Sequence, residues 1–151
     1  RQHALLEEVQ DMFTRMYAGM SGQGLMLDLA EGGPGKWLQA VKTGLGRFGI
    51  IHVAMAGGQT AGFSHGSLRL LPDYLGNLKV GVINHVFVEE GHRNAGVGEA
   101  LVKALEQWFL KQKVAAVELQ VLSGNAAGIS FWNRLGYHPE LLQYRKMKEE
   151  L

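Results

Sequence analysis

The chain has 151 residues, 15 lysines and arginines against 14 aspartates and glutamates, and no cysteine. That length suits one domain with one core, so residues 1–151 should form a single domain, and the net charge of +1 offers no field for nucleic acid or an anionic membrane. A disulfide framework, a thiolate nucleophile and a sulfur-ligated metal are excluded, and since no apolar run approaches the roughly 20 residues of a membrane span we expect a soluble, cytoplasmic protein.

The N-terminal part of the chain is predicted to be helical. Apolar residues recur at helical spacing from Leu5 to Tyr17, with charged residues opposite, and predict an amphipathic helix over residues 3–18. Residues 19–35 contain six glycines and a proline among several leucines, which is typical of a loop that covers a site. Pro34 suits a first helical turn, so a short second helix should run to about Gly44.

The rest of the chain alternates between β-rich and amphipathic segments. The Gly57-Gly58 pair separates two β-rich runs and predicts a hairpin. The predicted strands cover residues 48–55, 59–71, 80–88, 115–122 and 141–147, and the later helices cover residues 96–113 and 126–135. Because hairpin-joined strands come first and helix-crossed strands later, we expect an α/β fold, a central mixed sheet with helices on both faces.

A glycine-rich turn lies between the strand at residues 80–88 and the helix that follows it. Its sequence is Arg93-Asn94-Ala95-Gly96-Val97-Gly98. The first N–H groups of a helix have no intrahelical partner, and glycine lets a ligand approach the backbone closely, so the turn is a candidate anion site. It lacks the Lys-Ser or Lys-Thr of a nucleoside-triphosphate loop and the spacing of a dinucleotide fingerprint.

The motif Arg-x-x-Gly-x-Gly, placed after a strand and opening a helix, resembles the pyrophosphate-binding loop of the GCN5-related N-acetyltransferases (GNAT). Residues 125–137 are similar to that family's Asn-x-x-Ala-x-x-Phe-Tyr-x-x-x-Gly-Phe segment, and residues 144–148 resemble its closing strand. The resemblance covers most of the chain and implies the GNAT fold with acetyl-CoA as co-substrate. The family's first strand has no counterpart here, so we expect the chain to lack that strand.

The resemblance also implies which residues bind acetyl-CoA. The strand before the loop would hold the pantetheine arm, the loop would hold the pyrophosphate, and the start of the next helix would contact the arm again. Arg93 would position the loop or face the pyrophosphate, and Asn125 would in addition cap its helix. The implied set is Val86, Phe87, Val88, Arg93, Asn94, Ala95, Gly96, Val97, Gly98, Glu99, Asn125 and Trp132.

The catalytic groups are less clearly marked by the resemblance. Amine attack on a thioester needs a neutral amine, hence a base or a water path. The family's base positions align with Val82 and Asn84; neither is a base, although Asn84 would orient a water, and the neighbouring His85 points away from the cleft on plain alternation unless a bulge turns it. The family's general-acid tyrosine aligns with Trp132, whose indole donates hydrogen bonds but no proton, and Tyr137 is assigned to packing.

Three functions remain open at this point. The leading one is acetyl transfer from acetyl-CoA to a primary amine, of a small molecule or a peptide, by direct attack in a ternary complex. An acyl-CoA-binding module with weak or no catalysis is the alternative, because the usual base and acid are missing. The third is a His-ligated metalloenzyme: if Ala56 pairs with Gln59, then His52 and His65 share a face, with His85 on the next strand. No metal is assigned, no nucleic-acid or membrane partner is expected, and a homodimer is compatible with the resemblance.

Overall fold

A computed structural model describes residues 2–151 as a four-stranded sheet with helices on both faces. The α-helices are α1 (Gln2–Met20), α2 (Gly33–Lys42), α3 (Val97–Lys111) and α4 (Ala126–Arg134). The strands are β1 (Gly49–Ala56), β2 (Gln59–Leu70), β3 (Lys79–Val88) and β4 (Ala116–Leu119). No helix within these residues is both long and apolar enough to cross a membrane.

The sheet has the order β1-β2-β3-β4, and it is mixed as the sequence predicts. β1 and β2 form an antiparallel hairpin, β3 continues antiparallel to β2, and β4 lies parallel to β3 after the α3 crossover. The hairpin turn has φ values of +58° at Gly57 and +79° at Gly58. Two positive φ angles in succession match the strand twist and favour glycine, so the local sequence determines this turn.

Two β-bulges change which side chains share a face of the sheet. β2 carries Ala61 as an extra residue against β1, and β3 carries Asn84 as an extra residue against β2. Because a bulge inserts one residue into one strand, it reverses the alternation beyond it. Asn84 and His85 consequently lie on the same face, the one covered by α1 and α2.

The α1 and α2 layer encloses the first hydrophobic cluster. Trp37 of α2 stacks on Phe13 of α1 with ring centroids 4.0 Å apart, and this pair lies over the sheet. The buried members of the cluster are Val9, Met12, Phe13, Phe63 and Phe87. The apolar stripe of α1 therefore packs against β2 and β3, as its helical spacing predicts.

The α3 layer encloses the second cluster on the opposite face. Its buried members are Ile83, Val102, Leu105 and Phe109, and aromatic residues of α4 pack beside them. At Gly81 a Cβ atom would lie 2.6 Å from the Phe109 ring, so the missing side chain lets α3 approach the sheet closely. This close approach fixes the C-terminal part of α3 against the first half of β3.

The C-terminal part of the predicted sheet is not formed. Residues 141–147 adopt no strand, and Leu141, Leu142 and Tyr144 are more than four-fifths exposed. A hydrogen bond between the side chains of Gln120 and Gln143 joins this segment to the residues after β4. β4 is also shorter than predicted, ending at Leu119 instead of residue 122.

Candidate active site

The pairing between β3 and β4 ends halfway along β3. Their pairing covers residues 80–83 of β3 and 116–119 of β4, whereas β3 continues to Val88 beside β2 alone. The backbone groups of residues 84–88 that face away from β2 are therefore not hydrogen-bonded to β4. The cleft between the two strands lies where the sequence comparison with the GNAT family places the pantetheine arm.

The loop from β3 to α3 presents a row of backbone donors. Glu89 is fixed to β2 by its N–H, which donates to Ala61 O at 2.8 Å, and Gly96 caps α3 with a φ of +80°. Asn94 also has a positive φ, +62°, which turns the chain toward the helix. Within residues 2–151 the N–H groups of residues 94–99 have no hydrogen-bond acceptor. Together with the dipole of a 15-residue helix, they make residues 89–99, the anion loop, a candidate anion site.

Arg93 fastens this loop to the end of β3. Its Nε donates to Val88 O at 3.0 Å, and its guanidinium carbon lies 5.9 Å from the centroid of the Phe87 ring. The structure thus gives Arg93 a positioning contact of the kind that the resemblance implies. A direct contact between Arg93 and the pyrophosphate stays a prediction.

The two glycines of the motif have different structural roles. At Gly96 a Cβ atom would meet nothing within 4 Å, so the backbone there is open to a ligand. At Gly98 a Cβ atom would lie 3.3 Å from the Phe131 ring and 3.6 Å from Val88 Cγ2. Gly98 therefore permits close packing between α3, α4 and β3, and contact between its backbone and the ligand stays a prediction.

Asn125 caps α4 as predicted. Its Oδ1 accepts the N–H of Gly128 at 2.9 Å, which satisfies one of the first-turn donors of that helix. The preceding residue, Gly124, lies against the loop after α1, since a Cβ there would meet Gln23 O. Contact between Asn125 and the cofactor arm stays a prediction.

His85 lies on the α1 face but is withdrawn from solvent. The bulge at Asn84 turns it to this face, which is the alternative that the sequence left open, and Phe13 and Trp37 cover it there. Its Nδ1 lies 3.4 Å from Nδ1 of His65, and both rings meet Trp37 edge to face. Burial, and then the charge of His65, lowers the pKa of His85 to about 3, and burial lowers the pKa of His65 to about 4. Both imidazoles are neutral at pH 7.

Asn84 lies on an exposed part of the same face. Its Nδ2 donates to Ser67 Oγ at 2.8 Å, which fixes the orientation of the amide. Among the described residues, no donor contacts the amide oxygen Oδ1, so Oδ1 can accept a hydrogen bond from a water or from an amine. Sequence reasoning identified Asn84 but not Ser67, whose role depends on the cross-strand register.

Trp132 belongs to the other face of the sheet. Its indole packs into the cluster of the α3 layer, with its ring centroid 5.3 Å from that of Tyr137. Tyr137 OH donates to Glu106 Oε2 at 2.7 Å, and burial and then this carboxylate raise the pKa of Tyr137 well above its usual value. The assignment of Tyr137 to packing fits these contacts. Trp132 stands in the position of the family acid, but its contacts here are those of a packing residue.

The three histidines that a His-ligated metalloenzyme would need do not come together. Ala56 pairs with Gln59 as expected, but the extra residue Ala61 places His52 opposite Ser64. His52 therefore faces the α3 layer, whereas His65 faces α1 and α2. Within residues 2–151, no group of three His, Asp or Glu side chains is arranged to hold a metal.

An ion pair near the loop could not be found from the sequence. Arg15 of α1 donates to Glu89 through Nε at 3.1 Å and Nη2 at 2.5 Å. These residues are 74 positions apart, and each looks like an ordinary surface charge in its own segment. The pair ties α1 to the first residue of the anion loop.

The chain matches the model of the Acetyltransferase (GNAT) family over residues 8–137. It is 29% identical over 59 residues to the uncharacterized N-acetyltransferase YobR of Bacillus subtilis (strain 168), and this match covers 39% of the chain and 24% of YobR. The structure is similar to that of a mutant BH1408 protein from Bacillus halodurans, with a TM-score of 0.78, 22% identity, and coverage of 93% of this chain and 92% of that one. It is also similar to the aminoglycoside N-acetyltransferase AAC(6')-Iy in complex with CoA, with a TM-score of 0.75, 18% identity, and coverage of 95% and 90%.

These comparisons confirm the predicted fold class. At such identities the solved structures show the fold alone, while the family match covers most of the chain. The prediction of an acetyltransferase is confirmed at the level of the family. Acetyl-CoA is the co-substrate that membership of this family implies. The chain belongs to the GNAT family of acetyltransferases.

Proposed function

We propose that this protein transfers the acetyl group of acetyl-CoA to a primary amine of a small molecule, by direct attack in a ternary complex. The observation that carries the proposal is the row of unpaired N–H groups at residues 94–99, placed beside the edge of β3 that parts from β4. A diphosphate is the ligand that such a row at a helix N-terminus suits. The amide groups of a pantetheine arm can pair with the exposed edge of residues 86–88 as an added strand would.

The chemical step needs little help from an acid. The amine nitrogen attacks the thioester carbonyl carbon, a C–N bond forms, the C–S bond breaks with its electron pair on sulfur, and the nitrogen loses a proton. Because a thiol has an ordinary pKa near 8.5, CoA can leave as a thiolate. The packing of Trp132 in the α3 layer is therefore compatible with turnover.

Removal of the proton is the step for which this chain offers no simple base. An imidazole whose pKa is about 3 is a poor proton acceptor at pH 7, and His85 is also covered by Phe13 and Trp37. Asn84 has an exposed amide oxygen on the same face. We propose that Asn84 holds a water that carries the proton away, and that His85 supports the packing beneath it.

The proposal of a small-molecule acceptor is supported by one comparison. AAC(6')-Iy, which shares this fold, is an aminoglycoside acetyltransferase, so the fold accommodates a small amine. A peptide amine as acceptor, the homodimer, the absence of nucleic-acid partners and the cytoplasmic location stay predictions.

The test is turnover of acetyl-CoA with a panel of primary amines, followed by detection of the released thiol and by mass of the acetylated product. We expect thiol release that depends on both substrates and equals the amount of amide formed. Binding of CoA without turnover over the whole panel would contradict the proposal and favour the acyl-CoA-binding module. That alternative rests on one observation, the absence of an exposed base on β3 beside the cleft.

A further inference from the structure

The Phe131 ring of α4 lies against the first turn of α3. A Cβ atom at Gly98 would be 3.3 Å from two carbon atoms of this ring, so the ring borders the backbone that carries the free N–H groups of the anion loop. Phe131 also packs against the second hydrophobic cluster, which fixes the ring in place. A cation held over this ring is therefore one aromatic ring away from the start of α3.

Arg134 supplies a cation at this position. Its guanidinium carbon lies 5.7 Å from the centroid of the Phe131 ring. The residue is exposed, and within residues 2–151 it forms no ion pair. A guanidinium over an aromatic face still directs N–H donors outward from its edge. Arg134 thus offers hydrogen-bond donors and a positive charge beside the anion loop.

Other basic side chains around the loop already have partners. Arg93 donates to Val88 O at 3.0 Å and so holds the loop to β3. Lys103 Nζ lies 3.2 Å from Glu99 Oε2, one turn earlier in α3. Their donors are engaged within the protein, whereas the charge of Arg134 is available to a ligand.

The pyrophosphate is only part of the phosphate in CoA. The cofactor also carries a phosphate on the 3′ oxygen of its ribose, and the ribose ring separates this group from the pyrophosphate. In the structure, the ring of Phe131 likewise separates the N–H groups of the anion loop from Arg134. Arginine suits such a group, because its planar fork matches two phosphate oxygens at once.

We propose that Arg134 forms a subsite for the 3′-phosphate of CoA, which lets the protein distinguish CoA from 3′-dephospho-CoA. This inference rests on the proposed function and names the part of the cofactor that a charged side chain recognises. An arginine in the last turn of a helix also interacts favourably with the helix dipole. That structural role is independent of the ligand, so the two roles predict different binding data.

The test is calorimetric titration of the wild type and of Arg134→Gln with CoA and with 3′-dephospho-CoA. The wild type should bind CoA about tenfold more tightly than 3′-dephospho-CoA, which corresponds to about 1.4 kcal/mol. In Arg134→Gln the affinity for CoA should fall to that for 3′-dephospho-CoA, whose own affinity stays unchanged and shows that the variant is folded. Arg134→Lys should keep part of the preference, since it retains the charge but not the fork.

Arg47→Gln is the matched control. Arg47 is also an exposed arginine over an aromatic ring, with its guanidinium carbon 5.0 Å from the centroid of Phe48, and it forms no ion pair within residues 2–151. It precedes β1 at the end of the sheet where β3 begins, opposite the end that carries the anion loop. We expect Arg47→Gln to bind both ligands as the wild type does.

The outcomes separate this inference from the proposed function. Equal affinity of the wild type for the two ligands would overturn the subsite, and so would an equal loss for both ligands in Arg134→Gln, which would indicate a structural role. Either result leaves acetyl transfer standing, because thiol release from acetyl-CoA measures it independently. If CoA is preferred as expected but no amine is acetylated, the proposed function fails and the subsite stands. If neither ligand binds to the wild type, both proposals fail.

Discussion

Asn84 is the extra residue of the bulge in β3, and its amide is held by Ser67 at 2.8 Å on the exposed part of the α1 face. His85, its neighbour, shares that face but lies beneath Phe13 and Trp37. The bulge thus places two polar side chains on one face and divides their roles. The accessible group is a neutral amide, and the group that titrates is buried.

This division predicts the pH profile of the reaction. In Asn84→Ala we expect kcat to fall about tenfold with little change in the KM for acetyl-CoA, because the positioned water is lost. For wild type, kcat/KM should rise toward the pKa of the amine without an ascending limb near 6.5, since His85 is neutral throughout that range. Steady-state rates from pH 5.5 to pH 9.5 measure both.

Two variants control this prediction. Asn133→Ala removes an exposed asparagine from α4 and should leave the rates unchanged, and Ser67→Ala should give a smaller loss than Asn84→Ala because it only releases the amide. A limb near pH 6.5 that disappears in His85→Gln would assign the base to His85 instead.

The histidine pair also makes stability depend on pH. The pKa values of about 4 for His65 and about 3 for His85 lie below the unfolded value of 6.5, so the unfolded chain binds protons first as the pH falls. The contribution of these two histidines to the stability of the native state is fully present above pH 6.5, and it is lost as the pH falls from there toward 4. Between pH 7 and pH 5 we expect a loss of about 1–2 kcal/mol for each histidine.

Urea unfolding at pH 7 and pH 5 measures this loss. In His85→Gln the free energy of unfolding should differ less between pH 7 and pH 5 than in wild type, by about the contribution of one histidine. This holds whatever the absolute stability of the variant. If the free energy of unfolding changes equally between pH 7 and pH 5 in wild type and in His85→Gln, then His85 is protonated as readily in the native state as in the unfolded chain.

At the scale of elements, α1 and the anion loop are joined by the Arg15 and Glu89 pair. Glu89 is one of the acidic side chains closest in sequence to the donors of residues 94–99, and Arg15 neutralises it through two hydrogen bonds. Without Arg15, a bare carboxylate would face the anion site and repel the pyrophosphate. The pair therefore joins α1 to the loop that we propose binds the cofactor.

Removing Arg15 from this pair should weaken cofactor binding through the charge of Glu89. Arg15→Ala is expected to raise the KM for acetyl-CoA by about three- to tenfold with a small effect on kcat, and Glu89→Gln in the same chain should restore the KM. Arg15→Lys should keep most of the affinity. Arg69→Ala breaks the comparable pair with Glu118 on the sheet and serves as the control. A double variant as impaired as Arg15→Ala would mean that the contact orders the loop by geometry and not by charge.

The sequence predicts those elements whose signals are local. Helical spacing located α1 and α3, the Gly57-Gly58 pair located the hairpin, and the glycines before a helical pattern located the turn between β3 and α3. Residues 141–147 show the opposite case, because their β-rich composition states only that they could pair, and whether a partner strand lies beside them is decided by the fold.

The site was harder to predict than the fold because it depends on register. Nothing in the sequence marks Ala61 and Asn84 as bulge residues, yet these bulges decide which faces His52 and His85 occupy. The role of Gly98 in helix packing and the pairing of Arg15 with Glu89 likewise arise from contacts between distant segments. One sequence gives the chemistry of each residue but not its neighbour across the sheet.

At the scale of the whole molecule, two features meet at the C-terminal end of β3. The anion loop leads from β3 into α3, and the cleft separates residues 84–88 of β3 from β4. We propose that the loop binds the pyrophosphate of CoA, and this binding can be measured without knowing the acceptor.

Ala95→Glu places a negative charge among the free N–H groups at an exposed position whose φ is not positive. Gln107→Glu adds the same charge to an exposed position far along α3 and serves as the control. Calorimetric titration with CoA is the measurement. We predict that Ala95→Glu weakens binding at least about tenfold, since two like charges roughly 4 Å apart repel by several kcal/mol near a protein surface, and that Gln107→Glu binds as the wild type does. Unchanged affinity in a folded Ala95→Glu protein would contradict the assignment of this loop as the cofactor site.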